Sequence, residues 1–233
     1  MRTAKPSNIR DDFLTAINQM KGTYAAVDAA TGPTTADEKR VAETTLLAAA
    51  AFWESFLSDL VVAYINVDAS GFKAHIEKKY SAKASEKEKD EVVLRARRHV
   101  DPVMKRHLKL DEIRKVLAGN DQNVTFKSAA QLKKRAGLWL CANHKAHFHA
   151  LTSAQDATLD ALRSIRNFVA HRNVGARKSM NDRLAAANLP TALQRGASQV
   201  HSPGKYLRAS PNGVRRLDLY LDEMVTIASL LCP

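Results

Sequence analysis

Apolar residues recur every three to four positions along most of the chain, which is the spacing of one buried face of an α-helix. The clearest example predicts a long core helix over 36–66. Thr35 is its expected N-cap, and Asp37 and Glu38 in the first turn suit the positive end of the helix dipole. The apolar stripe of this helix consists of Trp53, Phe56, Leu57, Leu60, Val61 and Tyr64.

The same spacing predicts helices elsewhere, and the chain offers no series of alternating apolar and polar runs joined by hairpin turns. Only 9 glycines and 7 prolines interrupt it. We therefore expect an all-α fold. The other predicted helices cover 8–30, 71–80, 110–118, 128–143, 154–172 with Ser153 as cap, 179–188, and a last segment from about 213.

The 233 residues suit one large domain or two small ones. We expect a single helical domain over 1–233 that carries a basic insertion of helix and loop at about 81–127. Residues 81–90 in particular are small or charged and show no helical periodicity.

Cysteine usage and hydropathy indicate a cytoplasmic protein. Cys141 and Cys232 are too few for a disulfide framework, which favours a reducing compartment. The first residues lack the apolar core of a signal peptide. No uncharged apolar run reaches the roughly 20 residues of a membrane span, so we expect no membrane partner.

The formal net charge of +12 is concentrated in two blocks. Residues 71–150 hold 19 basic and 9 acidic groups, and residues 161–216 hold 11 basic groups against Asp182 alone. Such blocks favour a polyanionic partner, most simply a nucleic acid, although a basic surface that only confers solubility has the same composition. The usual phosphate-loop, metalloprotease and nucleophile-elbow signatures are absent.

The helix predicted over 154–172 separates an apolar from a polar face. Leu162, Ile165, Phe168 and Val169 share the apolar arc. A histidine buried in the core would lie within that arc, whereas His171 lies opposite it, so its side chain is either exposed to solvent or part of a site. The polar arc holds Asp160, Ser164, Asn167 and His171, with Arg163 and Arg166 beside it.

The string Arg166-Asn167-Phe168-Val169-Ala170-His171 resembles the R-[N/D/H]-x-x-x-H motif of the HEPN superfamily, which consists of small all-α proteins. The long helix over 36–66 is similar to the first core helix of stand-alone prokaryotic members. The resemblance covers about 36–66 and 153–175 well and 213–231 loosely. It implies a HEPN-like helical bundle with a long first core helix and a motif helix.

The resemblance implies a metal-independent endoribonuclease that acts as a toxin or defence effector, for which an antitoxin protein is a further expected partner. Arg166, Asn167 and His171 are then the catalytic residues. In the family two such motifs meet across a homodimer interface, and two histidines can divide the roles of acid and base. No cofactor and no metal are expected. The residues expected to bind RNA beside the motif are Arg163, Arg172, Arg177 and Lys178.

Three alternatives stay open. The chain could be a non-catalytic HEPN module that binds RNA or nucleotide and regulates a partner. It could also be a structural nucleic-acid-binding protein in which the RNFVAH string is accidental. Finally, Cys141, His144, His147 and His149 lie within nine residues and are good zinc ligands, although their spacing fits no standard finger and a loop with incidental histidines explains them as well.

Overall fold

The computed structural model describes residues 4–31, 36–81, 107–119 and 123–233. Within these ranges the regular structure consists of ten α-helices and one 3-10 turn at Thr191–Leu193, without strands, which confirms the all-α fold. The helices are α1 Pro6–Thr31, α2 Ala36–Val67, α3 Ser70–Ser81, α4 Leu110–Ala118, α5 Ala129–Trp139, α6 Ala142–His149, α7 Ser153–His171, α8 Val174–Leu184, α9 Pro203–Arg208 and α10 Arg216–Leu231.

Most predicted helices form close to their expected limits, but two predictions were wrong. The helix expected over 128–143 ends at Trp139, and a second helix begins at Ala142. Leu140 adopts an extended conformation that buries its side chain, and its carbonyl group lies so close to Gly71 that a Cβ there would clash. The helix expected over 179–188 instead begins at Val174, where Asn173 caps it.

Two further expectations fall partly outside the described residues. The N-cap role of Thr35 is one of them. Of the basic insertion expected at about 81–127, residues 82–106 and 120–122 lie outside the described ranges, and α4 is a helix within it, as predicted.

The described chain divides into two compact units, and α2 contributes residues to both. The first unit comprises the described residues of Met1–Arg10 and Glu54–Ala150, together with Cys232. Its core is built on the second half of α2 and on α3 to α6. Fully buried side chains there include Leu60, Ile65, Phe72, Ile76, Leu132 and Phe148.

The second unit comprises the described residues of Asp11–Trp53 and Leu151–Leu231, together with Pro233. It holds most of α1, the first half of α2, and α7 to α10, so the motif helix lies within this unit. Its fully buried side chains include Ile17, Tyr24, Leu46, Ile165, Tyr220 and Leu221. The expectation of one HEPN-like domain over the whole chain stays a prediction.

Among the described helices, α2 is the one that is long and apolar enough to cross a membrane. Its most apolar window is 61% buried inside the protein, as in the core helix of a soluble protein. The structure is therefore compatible with a soluble protein, and the cytoplasmic location stays a prediction.

Candidate functional site

The helix that carries the motif, α7, is defined at its start by a capping box. The Thr152 hydroxyl accepts a hydrogen bond from the Gln155 backbone N–H at 3.2 Å, and the Gln155 side chain accepts one from the Thr152 N–H at 3.0 Å. These reciprocal bonds satisfy two backbone donors that a helix N-terminus leaves without partners. The N-cap is therefore Thr152, and the expected cap, Ser153, is the first residue of the helix.

The apolar arc of α7 is buried as predicted, and it holds the helix in one orientation. Leu162, Ile165, Phe168 and Val169 are all buried. On the other side Arg166 and Asn167 are half-buried, whereas His171 is exposed. The Arg166 Nη1 donates a hydrogen bond to the Asn167 Oδ1 at 3.3 Å, so these two side chains contact each other without a bound ligand.

Ser164 differs from the expectation that it shares the polar surface. It is 5% exposed, and its hydroxyl donates to the Ala161 carbonyl at 2.7 Å. On this side of α7 the chain folds back and α8 packs against it, and Ser164 lies at the cleft between the two helices. The helical spacing alone places Ser164 correctly on the arc, but it contains no information about what lies against that arc.

The two helices form a hairpin joined by Arg172 and Asn173 only. Arg172 adopts the left-handed conformation, with φ of 51°, and this reverses the chain direction. Asn173 then caps α8, because its Oδ1 accepts a hydrogen bond from the Ala176 N–H at 2.7 Å. The N-terminus of α8, which carries a partial positive charge, therefore begins only three residues after His171 in the sequence.

A cleft of about 530 Å³ lies between α7 and α8, and we call it the motif cleft. All three expected catalytic residues line it, as does Arg163 from the expected RNA-binding set. Its volume is in the range of small-molecule sites in proteins. The lining residues are Arg163, Ser164, Arg166, Asn167, His171, Asn173, Gly175, Ala176 and Ser179.

The other three expected RNA-binding residues do not line the motif cleft. Arg172 forms an ion pair with Glu43 of α2, and its guanidinium lies 5.7 Å from the centre of the Phe168 ring. Arg177 and Lys178 point to other sides of α8, where they line smaller clefts. Their RNA-binding roles stay predictions.

Tertiary contacts change the charge picture around the motif. Four of the eleven cations in 161–216 form ion pairs with carboxylates that lie outside that segment. The basic surface is therefore smaller than the sequence count indicates. The pairs are Arg172–Glu43, Arg183–Asp160, Arg208–Glu38 and Arg215–Asp28.

The alternative zinc site does not assemble. Over the described residues, no three side chains of His, Cys, Asp or Glu are grouped so that they could hold a metal ion. The segment is also not a loop, because Cys141 occupies the N-cap position of α6 and the three histidines lie on this helix. The His144 ring stacks on Tyr64 with 4.1 Å between ring centres. Burial, followed by repulsion from His147, lowers the pKa of His144, and Asp68 opposes this shift.

Several residues of the site were missed by the sequence analysis, and one of them left a local signal. Asn173 stands three positions before Ala176 in a pattern typical of N-caps, so a helix beginning at Val174 could have been predicted. Gly175 and Ser179 line the motif cleft only because α8 packs on α7, and local sequence carries no signal for that contact.

Comparisons of the chain with protein-family models, with curated proteins and with solved structures found no match.

Proposed function

We propose that the protein is a metal-independent endoribonuclease of the HEPN type, and that the motif cleft is its active site. The observation that supports this is the position of Arg166, Asn167 and His171 on one wall of a single cleft, with Arg163 beside them. A cleft with cations, an amide and an exposed imidazole suits a phosphodiester more than a neutral substrate.

The reaction would be an internal transesterification of RNA. The 2′-oxygen attacks the adjacent phosphorus, the bond from phosphorus to the 5′-oxygen breaks, and a 2′,3′-cyclic phosphate and a free 5′-hydroxyl form. A base removes the 2′ proton, and an acid protonates the leaving 5′-oxygen. The exposed His171 ring can act in either role, because an imidazole nitrogen can accept or donate a proton.

Arg166 would stabilise the negative charge that builds up on the phosphate oxygens. Its guanidinium is held by Asn167, which leaves it oriented before substrate binds. Asn167 is thus a positioning residue, and Arg163 would hold a phosphate oxygen of the same strand.

A homodimer would complete the site. One imidazole cannot be both the base and the acid of a single step, whereas His171 of the partner subunit would supply the second proton carrier. A role as toxin or defence effector follows from the family resemblance and belongs to the same proposal.

The test is cleavage of a fluorescent single-stranded RNA in EDTA by the full chain and by its His171→Ala, Arg166→Ala and Arg40→Gln variants. We expect His171→Ala and Arg166→Ala each to lower kcat at least a hundredfold, since loss of general acid–base catalysis or of charge stabilisation in the transition state typically costs that much. Arg40 is exposed on α2 and does not line the described clefts, so Arg40→Gln should cleave as the wild type does.

The product ends separate this mechanism from others. Products that end in a 2′,3′-cyclic phosphate would support the proposed transesterification. Loss of cleavage when the nucleotide at the cut site lacks its 2′-hydroxyl would support it as well. Equal cleavage by wild type and His171→Ala would refute it, and RNA binding without cleavage by the wild type would favour the non-catalytic HEPN module.

A further inference from the structure

Two more clefts adjoin α8, and each shares lining residues with its neighbour. One cleft of about 440 Å³, the middle cleft, shares Gly175 and Ser179 with the motif cleft. The next, of about 250 Å³, shares Lys178 and Asp182 with the middle cleft and reaches Arg195. We call it the Arg195 cleft. Each cleft is lined by its own group of α8 residues. At 100° per residue these three groups follow one another around the helix axis, and so do the clefts.

The Arg195 cleft carries positive charge that the described part of the chain does not neutralise. Arg177, Lys178 and Arg195 line it, and none of them forms an ion pair with a described residue. Asp182 is the single carboxylate in its lining and is also unpaired within the described ranges. Three cations against one carboxylate leave a net charge of +2 in this small cleft.

Arg195 is held in place by carbonyl groups, not by a carboxylate. Its Nε donates to the Asn181 carbonyl at 3.1 Å, and its Nη1 donates to the carbonyls of Gly196 and Ala197 at 3.3 and 3.1 Å. Gly196 has a φ of 73°, a conformation that suits glycine and curves the loop around the guanidinium. Carbonyl partners fix the orientation of the guanidinium and leave its full charge in place.

The remaining edge of Arg195 is suited to an anion. Arginine has five N–H donors, and the Nη2 group with two of them makes no hydrogen bond to a described residue. The loop itself is fixed, because buried Asn181 accepts from the Val200 N–H at 2.7 Å and donates to the Val200 carbonyl at 3.1 Å. A guanidinium fixed in this way loses little entropy when it binds a phosphate.

We infer that the three clefts form one phosphate-binding track for single-stranded RNA, in which Lys178 and Arg195 bind phosphates beyond the scissile one. The inference rests on the proposed function, since continuity with the motif cleft is what favours a nucleic acid over another polyanion. Arg195 was not among the residues expected to bind RNA, and it becomes the far end of the track.

The curvature of the track selects a single strand. An α-helix with its side chains is about 10–12 Å across, and the track bends around part of that circumference. A nucleic-acid duplex is too stiff to follow such a bend, whereas a single strand turns freely at each nucleotide. In-line attack by a 2′-oxygen also needs a flexible linkage, which agrees with this substrate class.

Binding of a 2′-O-methyl octanucleotide, which cannot be cleaved by this chemistry, tests the track separately from catalysis. We would measure anisotropy over a range of salt for the wild type, Lys178→Gln, Arg195→Gln, Asp182→Asn and the exposed control Arg40→Gln. Loss of one phosphate contact should weaken binding about tenfold and reduce the salt slope by about 0.7. Removal of the Asp182 charge should tighten binding about threefold, which no unfolding effect would imitate.

The outcomes separate the two proposals. If Asp182→Asn binds more tightly, Lys178→Gln and Arg195→Gln bind more weakly, and a matched RNA duplex binds less well, the track is supported even if the wild type cleaves no RNA. If the wild type cleaves RNA but all variants bind the octanucleotide equally, the track is overturned and the proposed function stands. Unchanged RNA binding together with weaker binding of polyglutamate by Lys178→Gln would also overturn it, in favour of an acidic protein partner.

Discussion

Arg172, the residue directly after the motif histidine, is held by Glu43 from the distant helix α2. The Glu43 side chain is 12% exposed, and its other oxygen accepts a hydrogen bond from the Gly204 N–H at 2.9 Å. One carboxylate thus connects the end of α7, the start of α9 and α2 inside the second unit. This connection includes Arg172, the residue at which the chain reverses between α7 and α8.

The Glu43 connection predicts a graded loss of stability. Glu43→Gln keeps an acceptor for Gly204 and loses only the ion pair with half-exposed Arg172, so we expect a loss of about 1 kcal/mol in the free energy of unfolding. Glu43→Ala loses both contacts and should cost about 2 kcal/mol. Urea denaturation measures both, with exposed Asp12→Asn as the control. Equal stability of all three variants would contradict this role of Glu43.

The conformation of Arg172 gives a second prediction. Its φ of 51° is unfavourable for a residue with a Cβ, so Arg172→Gly should be more stable than Arg172→Ala by about 1 kcal/mol. Both variants lose the contact with Glu43, so the difference between their free energies of unfolding isolates the effect of the backbone conformation. Thermal unfolding of the pair measures it, and a more stable alanine variant would show that the turn is not left-handed.

Glu38 and Arg208 form a nearly buried ion pair between α2 and α9, in which Glu38 is 2% exposed. Arg208→Met should cost about 3 kcal/mol, because it leaves the Glu38 carboxylate buried without its main partner. The double variant Glu38→Leu/Arg208→Met should recover most of this loss, since two apolar side chains need no partner. A double-mutant cycle by urea denaturation measures the coupling, and additive effects would argue against the pair.

Gly204 permits the close approach of α9 to α2. A Cβ at this position would clash with the carbonyl group of Lys39, so Gly204→Ala should cost about 2 kcal/mol. Gly22 in α1 has nothing within 4 Å of such a Cβ, and Gly22→Ala should stabilise the protein by about 0.5–1 kcal/mol through helix propensity. In thermal unfolding we expect Gly204→Ala to lower Tm and Gly22→Ala to raise it. A change of Tm in the same direction for both variants would contradict the packing of α9 against α2.

His144 in the first unit predicts a pH dependence. Burial, and then repulsion from His147, lower the pKa of His144 below its ordinary value of 6.5, so the unfolded chain binds more protons than the folded chain just below that pH. The contribution of His144 is therefore fully present above pH 6.5 and declines as the pH falls toward the folded pKa.

His144→Phe tests this dependence because it keeps a ring stacked on Tyr64 and removes the proton site. We expect this variant to lose less stability between pH 7 and pH 5 than the wild type. Chemical denaturation at both pH values measures the loss, with exposed His201→Gln as the control. An equal loss in His144→Phe and wild type would assign the pH dependence to other groups.

Local sequence patterns are sufficient to place most helices and to identify the buried face of α7. Helix periodicity and capping act over three or four residues, so the pattern around Leu162, Ile165 and Phe168 contains the whole signal. The break of the helix expected over 128–143 has no such local signal, and at the break the Leu140 carbonyl packs against Gly71, which is 69 residues away in the sequence.

Which cations near the motif are paired with carboxylates depends on contacts between residues far apart in the sequence. Arg172 and Glu43 are 129 residues apart, and Arg215 and Asp28 are 187 residues apart, so no local window contains both members of either pair. The charge count around the motif therefore overstates the basic surface. Helices follow from contacts between near neighbours in sequence, whereas a binding surface is what remains after distant side chains have paired.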